Sequence, residues 1–324
     1  MNGSVWPVVL SIVVPVYNEV DGVRWCYERL SEALASGPER YRDGYELILV
    51  DDGSTDGSGD LCGDLHAADP HIRVIQFQRN FGKTAALRAG FERCRGEYVV
   101  TIDADLQEEP TEIFRLLERL DAGDDLVSGW RRNRRDPPTK TLPSRVFNWV
   151  VSVVTGIRLH DFNCGLKAYR RQVVDNLHLY GSQHRFVPLL AAQMGYRVTE
   201  VPVKHRPRRF GKSKYGFRRL GRGYLDFIQV LFITSYLRQP LRLFGAIGSA
   251  MGAAGALILA YLTVLWILGD RPIGDRPLLL LGLLLLLSGF QILCTGLVGE
   301  MMRNASSRAE AEFVIRQELG IDYE

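Results

Sequence analysis

Short apolar runs alternate with amphipathic segments over roughly the first 205 residues of this 324-residue chain. Four runs rich in β-branched residues predict strands: SIVVPVY, ELILVDD, IRVIQF and YVVTIDAD. After each run, apolar residues recur at helical spacing, which predicts helices near residues 23–35, 59–68, 83–93 and 111–120. Strands that alternate with helices form a mostly parallel sheet and bind ligands beyond its carboxyl ends. The pattern therefore predicts an α/β domain.

The last third of the chain follows another pattern. No charged residue lies between Arg242 and Asp270, and none lies between Arg276 and Glu300. Each stretch is long enough to cross about 30 Å of hydrocarbon, which predicts two transmembrane helices within residues 241–299. Two buried core helices are the alternative, but the stretch LLLLGLLLLLSGFQILCTGL has no polar face to offer water.

A basic run connects the two parts. Residues 204–222 hold nine Lys or Arg and no acid, and the apolar segment that follows, YLDFIQVLFITSYL, is too short to span a bilayer. We expect interfacial helices at 216–240 with the basic run against anionic headgroups, although a solvated loop followed by a core helix is the alternative. The predicted domains are 1–215 (catalytic), 216–240 (interfacial), 241–299 (transmembrane) and 300–324 (tail).

Composition and charge indicate the cellular compartment and the membrane topology of the chain. With 46% hydrophobic residues the chain is not disordered, and its five scattered cysteines without a CxxC pair indicate neither a disulfide framework nor a zinc site. The N-terminus has no basic n-region, so it predicts a first strand instead of a signal peptide. Basic residues flank the two spans, at the run 204–222 and at Arg303 and Arg308, which predicts a multi-pass protein of the inner (plasma) membrane with a cytoplasmic catalytic domain.

The stretch TIDADLQEEP places several oxygens at the end of a buried strand. A turn there can bring Asp103 and Asp105 around one ion, and hard cations such as Mg²⁺ take carboxylate oxygens while they keep positions for substrate phosphates. A helix-capping aspartate is the alternative, but it explains one carboxylate and not two together with Gln107. The stretch predicts a site for a metal-bound diphosphate.

A second acidic strand end lies in LVDDGSTDGS. Asp51 and Asp52 can accept hydrogen bonds from a ribose or a base, whereas a plain Asp-Gly turn is the alternative. An EF-hand that starts at Asp52 is excluded because its twelfth position is Gly63, and the chain contains neither GxGxxG nor a P-loop motif.

Motifs along nearly the whole chain resemble one family. VPVYNE, VDDGSTDGS, RNFGK and DADLQ, in this order, are similar to the inverting family 2 glycosyltransferases with the GT-A fold. SGWR, KTLPSRVFN, DFNCGLKAYRR, QHRF and FGKSKY narrow the resemblance to polyisoprenyl-phosphate glycosyltransferases, which include dolichol-phosphate mannosyltransferase, undecaprenyl-phosphate glucosyltransferase and the aminoarabinose transferase. Many members continue DADLQ with Asp-Pro or Asn-Pro, whereas this chain has Glu108 and Glu109 before Pro110, an addition that we expect to be tolerated.

The resemblance implies a role for particular residues. It implies donor binding by Pro15, Tyr17, Glu19, Asp51, Asp52, Asp103 and Gln107. It implies Mg²⁺ or Mn²⁺ bound by Asp103, Asp105 and Gln107. It implies that the acceptor phosphate is bound by Arg131, Lys140, Ser144, Arg185 and Lys214. It makes Asp105 and Asp161 the candidate catalytic residues, with Asp161 either a base or an orienting group, and it places His184 of QHRF near the acceptor or the donor diphosphate.

Charge supports a lipid phosphate as the acceptor. Such a phosphate carries about −1.5 to −2 charges at neutral pH, which arginine and lysine bind well. Because its second pKa is about 6, the nucleophile is largely ionised already and a general base is less necessary. The alternative for the basic patch at 131–135, a solvated or nucleic-acid-binding surface, fits poorly beside a membrane anchor.

The expected activity is transfer of one sugar from a nucleotide sugar to a polyisoprenyl phosphate such as undecaprenyl phosphate. A processive polysaccharide synthase is one alternative, but it requires a longer channel and usually QxxRW, where this chain has QHRF. A non-catalytic membrane scaffold is the other, and the intact DxD motif disfavours it. The motifs leave UDP-glucose, other UDP-sugars and GDP-mannose open as donors. The apolar surface of two spans favours a homo-oligomer.

Overall fold

The structure is a computed structural model that describes residues 8–132, 152, 156–157, 159–179, 181, 183–206, 240–269 and 276–306. The chain forms two units, residues 1–219 and 220–324. The predicted domain boundary at residue 215, the interfacial segment before residue 240 and the tail after residue 306 lie outside the described residues.

A seven-stranded sheet is the centre of the first unit. Its strands are β1 (Leu10–Val16), β2 (Tyr45–Asp51), β3 (Ile72–Gln76), β4 (Tyr98–Thr101), β5 (Leu126–Trp130), β6 (Lys167–Arg170) and β7 (Val198–Pro202). Their order is β3-β2-β1-β4-β6-β5-β7, in which β6 runs antiparallel to both neighbours and every other pair is parallel. The predicted mostly parallel sheet is therefore confirmed, and the carboxyl ends of β2, β1 and β4 lie side by side.

Helices cover both faces of this sheet. They are α1 (Val20–Ser36), α2 (Glu39–Arg42), α3 (Ser58–Ala68), α4 (Lys83–Phe91), α5 (Glu112–Asp121), α6 (Arg171–Asn176) and α7 (Val187–Gln193), with a 3-10 turn at Gln183–Arg185. Because side chains alternate along β1, Ile12 and Val14 pack with α1, α3 and α5, whereas Val13 packs with α4, α6 and α7. The sheet thus separates two apolar cores.

Two long helices, α8 (Pro240–Ile267) and α9 (Pro277–Ser306), make up the described part of the second unit. Over the most apolar 18 residues of the segments Leu241–Ile267 and Pro277–Met302 the mean hydropathies are 2.0 and 2.3, and only 11% of those residues are buried in each case. By length and composition both helices can cross a membrane, which agrees with the predicted spans.

Glycines let α8 and α9 approach closely. A Cβ atom on Gly255 would lie 2.6 Å from the backbone nitrogen of Leu286, and one on Gly289 would lie 2.5 Å from the backbone nitrogen of Gly252. In a membrane, where apolar surface gains little by leaving lipid, such close backbone packing is a main source of helix association. A Cβ on Gly252, by contrast, would meet no atom within 4 Å.

Gly255 and Gly252, both on α8, provide a matched pair of substitutions. Gly255→Ala should force the helices apart and destabilise the pair by about 1–3 kcal/mol, the usual cost of overpacking. Gly252→Ala should cost nothing, because the space is open and alanine favours a helix. Thermal unfolding of the full chain in lipid nanodiscs measures the difference. Equal midpoints for the two variants would contradict the packing described here.

Candidate active site

The loops after β1 and β2 are bonded to each other at the carboxyl edge of the sheet. The backbone N–H of Asn18 donates to Oγ of Ser54 at 2.9 Å, and that of Glu19 donates to Oγ of Ser58 at 3.0 Å. These bonds fix the first loop beside the start of α3. The predicted donor-binding residues Tyr17 and Glu19 lie in this loop and Pro15 lies near the end of β1, and all three are half-buried.

Asp52 shapes the neighbouring RNFGK loop. Its carboxylate accepts hydrogen bonds from the backbone N–H groups of Phe81 at 2.7 Å and Gly82 at 2.9 Å, and from the side-chain amide of Asn80 at 2.9 Å. Burial raises the pKa of Asp52, although these two N–H groups act in the opposite direction. Asp51 is also buried, and it accepts a bond from the backbone of the Gly-Ser turn that follows. Asp51 and Asp52, which are predicted to bind the sugar donor, therefore also hold the loops of this edge in place.

A turn follows β4 and carries the DxD motif. The backbone N–H of Leu106 donates to the carbonyl of Asp103 at 3.0 Å, and Leu106 takes a left-handed φ of 41°. A bulky residue with positive φ is strained, and such strain is concentrated at functional sites. The predicted turn after the strand is present, with the side chains of Asp103, Asp105 and Gln107 all half-buried.

Lys83 forms an ion pair with Asp103. Its Nζ donates to Oδ1 of the carboxylate, and both side chains are about one-third exposed. Burial acts to raise the pKa of Asp103, but the charges of Lys83, Lys167 and Arg131 outweigh it and hold that pKa below its usual range. Likewise burial acts to lower the pKa of Lys83, but Asp103 outweighs it and the pKa is raised. Both groups are thus charged at neutral pH.

The DxD turn suits a hard divalent cation whose coordination is completed by oxygens of a bound substrate. Among the described residues no group of three or more His, Cys, Asp or Glu side chains is arranged to hold a metal ion. Mg²⁺ is commonly bound by one or two carboxylates together with substrate phosphates, and Mn²⁺ accepts the same oxygen ligands. Asp103, Asp105 and Gln107 are the residues of this turn that would supply oxygen ligands to such an ion, and Lys83 already engages Asp103.

Gly165 leaves room for Asp103. A Cβ atom at position 165 would lie 2.5 Å from Oδ2 and 2.6 Å from Cγ of that carboxylate, and the hydroxyl of Thr101 donates to the Gly165 carbonyl at 3.0 Å. Gly165→Ala should therefore displace Asp103 and lower the rate of the sugar transfer that the sequence predicts by about a hundredfold, because errors of about 1 Å have costs of this size. Gly63→Ala in α3, where a Cβ would meet no atom within 4 Å, is the control.

The test of Gly165→Ala compares initial rates of sugar transfer with thermal midpoints. We expect a normal midpoint with a low rate for this variant, and normal values of both for the control. A rate within threefold of wild type would show that the placement of Asp103 is not critical.

A buried ion pair joins Arg131 to Asp161. Nε and Nη2 of the guanidinium donate to the two carboxylate oxygens at 2.7 and 3.1 Å, and the side chains are only 9% and 3% exposed. Burial acts to lower the pKa of Arg131, but Asp161 outweighs it and the pKa is raised. The residue predicted to bind the acceptor phosphate and the residue predicted to act as base thus form one unit.

The extra acids of the DxD turn both face cations. Oε1 of Glu108 lies 3.9 Å from Nη1 of Arg131 and 3.9 Å from Nδ1 of His205. Burial raises the pKa of Glu108 to about 7, even though Arg131 acts to lower it. Glu109 forms ion pairs with Arg29 and Arg206. These contacts explain how the fold accommodates two further acids at this point.

Two lysines of the site were not singled out from the sequence. Lys83 ends the RNFGK motif, and Lys167 is a fully buried residue at the start of β6 that donates from Nζ to the Cys164 carbonyl. Burial lowers the pKa of Lys167, and Lys83 acts in the same direction. The only signal in the sequence was that Lys83 ends the RNFGK motif and that Lys167 lies within the DFNCGLKAYRR motif.

The QHRF turn lies against the start of α4. Nδ1 of His184 is 2.7 Å from Oγ1 of Thr84. Burial, with the positive charges of Lys83 and Arg185, lowers the pKa of His184 to about 3, so the imidazole is neutral at neutral pH. Arg185 is half-buried beside it. The remaining predicted acceptor residues, Lys140, Ser144 and Lys214, lie outside the described residues.

Comparison with known families accounts for this arrangement. Residues 11–177 match the family described as "Glycosyl transferase family 2", a match that includes the DxD turn and the Arg131–Asp161 pair. The chain belongs to glycosyl transferase family 2. The membership predicted from the motifs is thereby confirmed, and with it an enzyme of the glycosyltransferase class.

Curated relatives cover almost the entire chain. A dodecaprenyl-phosphate galacturonate synthase of Rhizobium johnstonii is 39% identical over 98% of this chain and 94% of its own length. Undecaprenyl-phosphate 4-deoxy-4-formamido-L-arabinose transferases are 37% identical in Pseudomonas fluorescens and 35% in Salmonella choleraesuis, over 96% and 95% of this chain and 89% and 93% of their own lengths. The resemblance to polyisoprenyl-phosphate glycosyltransferases is thus confirmed.

Solved structures confirm the GT-A-like fold. Glucosyl-3-phosphoglycerate synthase of Mycobacterium tuberculosis superposes with a TM-score of 0.51 at 22% identity, over 70% of this chain and 80% of that one. A further structure of that enzyme, with a TM-score of 0.51 at 21% identity over 70% of this chain and 79% of that one, contains Mn²⁺ and UDP-glucose.

Proposed function

We propose that this protein transfers a single sugar from a nucleotide sugar to a polyisoprenyl phosphate at the cytoplasmic face of the plasma membrane. The observation that carries the proposal is the extent of the similarity. Relatives named for transfer to dodecaprenyl or undecaprenyl phosphate match at least 95% of this chain, which includes both apolar helices. A bilayer anchor suits an enzyme whose acceptor is a lipid.

The donor would bind at the carboxyl ends of β1, β2 and β4. Pro15, Tyr17, Glu19, Asp51 and Asp52 would surround the nucleoside, where ligands of parallel sheets bind. Asp105, Gln107 and Asp103 would hold Mg²⁺ or Mn²⁺ together with the diphosphate. When bound, the metal supplies positive charge that stabilises the departing nucleoside diphosphate. Lys83 adds a fixed positive charge beside Asp103.

The acceptor phosphate would face Arg131 from the other side of the site. Asp161 accepts from Nε and Nη2 of that arginine, so Nη1, which lies 3.9 Å from Oε1 of Glu108, is the nitrogen that would bind a phosphate oxygen. In this role Asp161 orients Arg131 and the nucleophile needs no protein base, because a lipid phosphate is largely ionised at neutral pH. A phosphate oxygen then forms the new bond to the anomeric carbon as the bond to the diphosphate breaks, with inversion.

The topology and assembly are also part of the proposal. Two spans with basic residues at their cytoplasmic ends would place the catalytic unit and the tail inside the cell. The exposed apolar surface of α8 and α9 would support a homo-oligomer in the membrane. Cross-linking in native membranes that yields only monomers would contradict the oligomer.

A panel of donors tests the reaction. Purified protein in nanodiscs is incubated with undecaprenyl phosphate, Mn²⁺ or Mg²⁺, and radiolabelled UDP- and GDP-sugars that include UDP-galacturonate. We expect one donor to label the organic phase with release of an equal amount of nucleoside diphosphate. Label that accumulates instead in a polymer insoluble in both phases would favour the polysaccharide synthase.

A further inference from the structure

Glu109 connects three parts of the catalytic unit. Its Oε1 accepts from Nη2 of Arg29 on α1, and its Oε2 lies by Nη2 of Arg206, both at 2.6 Å. The Glu109 side chain is 9% exposed, whereas those of Arg29 and Arg206 are 33% and 56% exposed. Two arginines therefore compensate one nearly buried carboxylate directly after the DxD turn.

Backbone contacts lie beside these ion pairs. The N–H of Arg206 donates to the carbonyl of Gln107 at 2.7 Å, and an isolated antiparallel bridge pairs Glu108 with His205. The N–H of Val203 donates to the carbonyl of Trp130 at 2.9 Å. The segment that leaves β7 thus runs antiparallel to residues 107–109, which begin with Gln107, the last of the candidate metal ligands.

We propose that Glu109 is a positioning residue for the candidate metal ligands. Through Arg29 and Arg206 it fixes the backbone after Gln107 against α1 and against the segment that leaves β7, and so holds Asp105 and Gln107 in place. The same contacts fix the first residues of the basic run 204–222 to the DxD turn. The inference rests on the proposed function in that it takes a metal and a nucleotide to bind at this turn. The contacts of Glu109 themselves do not depend on that function.

The sequence marks this position as a departure. Where many members of the family have Asp-Pro or Asn-Pro after DADLQ, this chain has Glu108 and Glu109, and the two carboxylate oxygens of Glu109 each face a different arginine. The long glutamate side chain is what allows one carboxylate to reach both α1 and the segment after β7.

Hydrogen exchange of the full chain in nanodiscs tests the positioning directly. Glu109→Gln keeps the shape but removes the charge, so peptides that cover 102–110 and 203–206 should exchange at least about tenfold faster than in wild type. Arg206→Gln should do the same. Glu32→Gln is the matched control, because it removes the other carboxylate at 2.6 Å from Arg29 and leaves Glu109 intact. Unchanged exchange in Glu109→Gln and Arg206→Gln would overturn the inference.

Nucleotide binding separates positioning from general damage. In the presence of Mn²⁺ the Kd for UDP should rise about tenfold in Glu109→Gln and Arg206→Gln, whereas the Kd measured in EDTA should stay unchanged. An equal loss with and without Mn²⁺ would overturn the inference, since the whole nucleotide pocket would then be affected. A wild-type protein that bound neither UDP nor GDP would contradict the proposed function, while the exchange data would still decide the role of Glu109.

Discussion

Asp105→Asn should lower the rate of sugar transfer by up to about a thousandfold, the largest effect that we expect from one substitution. Asp105 is one of the two carboxylates of the DxD turn that we propose to hold the metal, and removal of one group that stabilises developing charge commonly costs about a hundredfold to a thousandfold. Asparagine keeps the shape of the side chain, so the half-exposed position should tolerate it without loss of the fold. Initial rates with saturating donor and undecaprenyl phosphate measure the effect.

The control for Asp105→Asn is Asp21→Asn. Asp21 is an exposed acid in the first turn of α1, near the same edge of the sheet. Its substitution changes the net charge equally and should leave the rate within twofold of wild type. If Asp105→Asn retained more than one-tenth of the wild-type rate with a normal thermal midpoint, Asp105 would not be the principal metal ligand.

Separation of Arg131 from Asp161 should have the largest effect on stability. Asp161→Asn leaves Arg131 with only the more distant carboxylate of Glu108, and Arg131→Met removes the guanidinium that binds both oxygens of Asp161. Breaking a buried ion pair in this way costs about 3–5 kcal/mol in the free energy of unfolding. The double variant should be more stable than the sum of the single losses predicts, because it leaves neither charge uncompensated. Denaturant unfolding of the four proteins, followed by a probe in the catalytic unit, gives the coupling energy.

The exposed pair Arg88–Glu92 is the matched comparison. Its side chains are 60% and 52% exposed at i,i+4 spacing on a helix, so the same four-protein cycle should give a coupling of at most about 0.5 kcal/mol. Equal coupling energies for the two pairs would contradict the account of a buried ion pair. The Arg131 variant should also show a raised KM for the lipid acceptor, since the proposal gives Nη1 of that arginine to the phosphate.

The local sequence pattern predicted the first half of the fold. Strands β1 to β4 and helices α1, α3, α4 and α5 occur where the alternation of apolar runs and helical spacing placed them; for example α1, predicted near residues 23–35, spans Val20–Ser36. Strands β5, β6 and β7 were not predicted. In particular, β6 depends on antiparallel pairing with β4 and β5, which are distant from it in sequence. No local pattern encodes such pairing.

The site was predictable only in part for a related reason. Acids that end neighbouring parallel strands must meet at one edge, so the positions of Asp51, Asp52, Asp103 and Asp105 followed from the strand pattern alone. Their partners did not. Lys83 reaches Asp103 across 20 residues, and Arg131 reaches Asp161 across 30 residues, through contacts that exist only once the sheet has formed. The roles of Lys83, Lys167 and Glu109 therefore appeared only in the structure.

The most direct test of the central claim compares two acceptors that differ by one phosphate. Wild-type protein in nanodiscs receives the active labelled nucleotide sugar with either undecaprenyl phosphate or undecaprenol, the corresponding alcohol. We expect label in the organic phase only with the phosphate, in proportion to the nucleoside diphosphate released. Equal labelling of both lipids, or release of nucleoside diphosphate with no labelled lipid in either case, would contradict transfer to a polyisoprenyl phosphate.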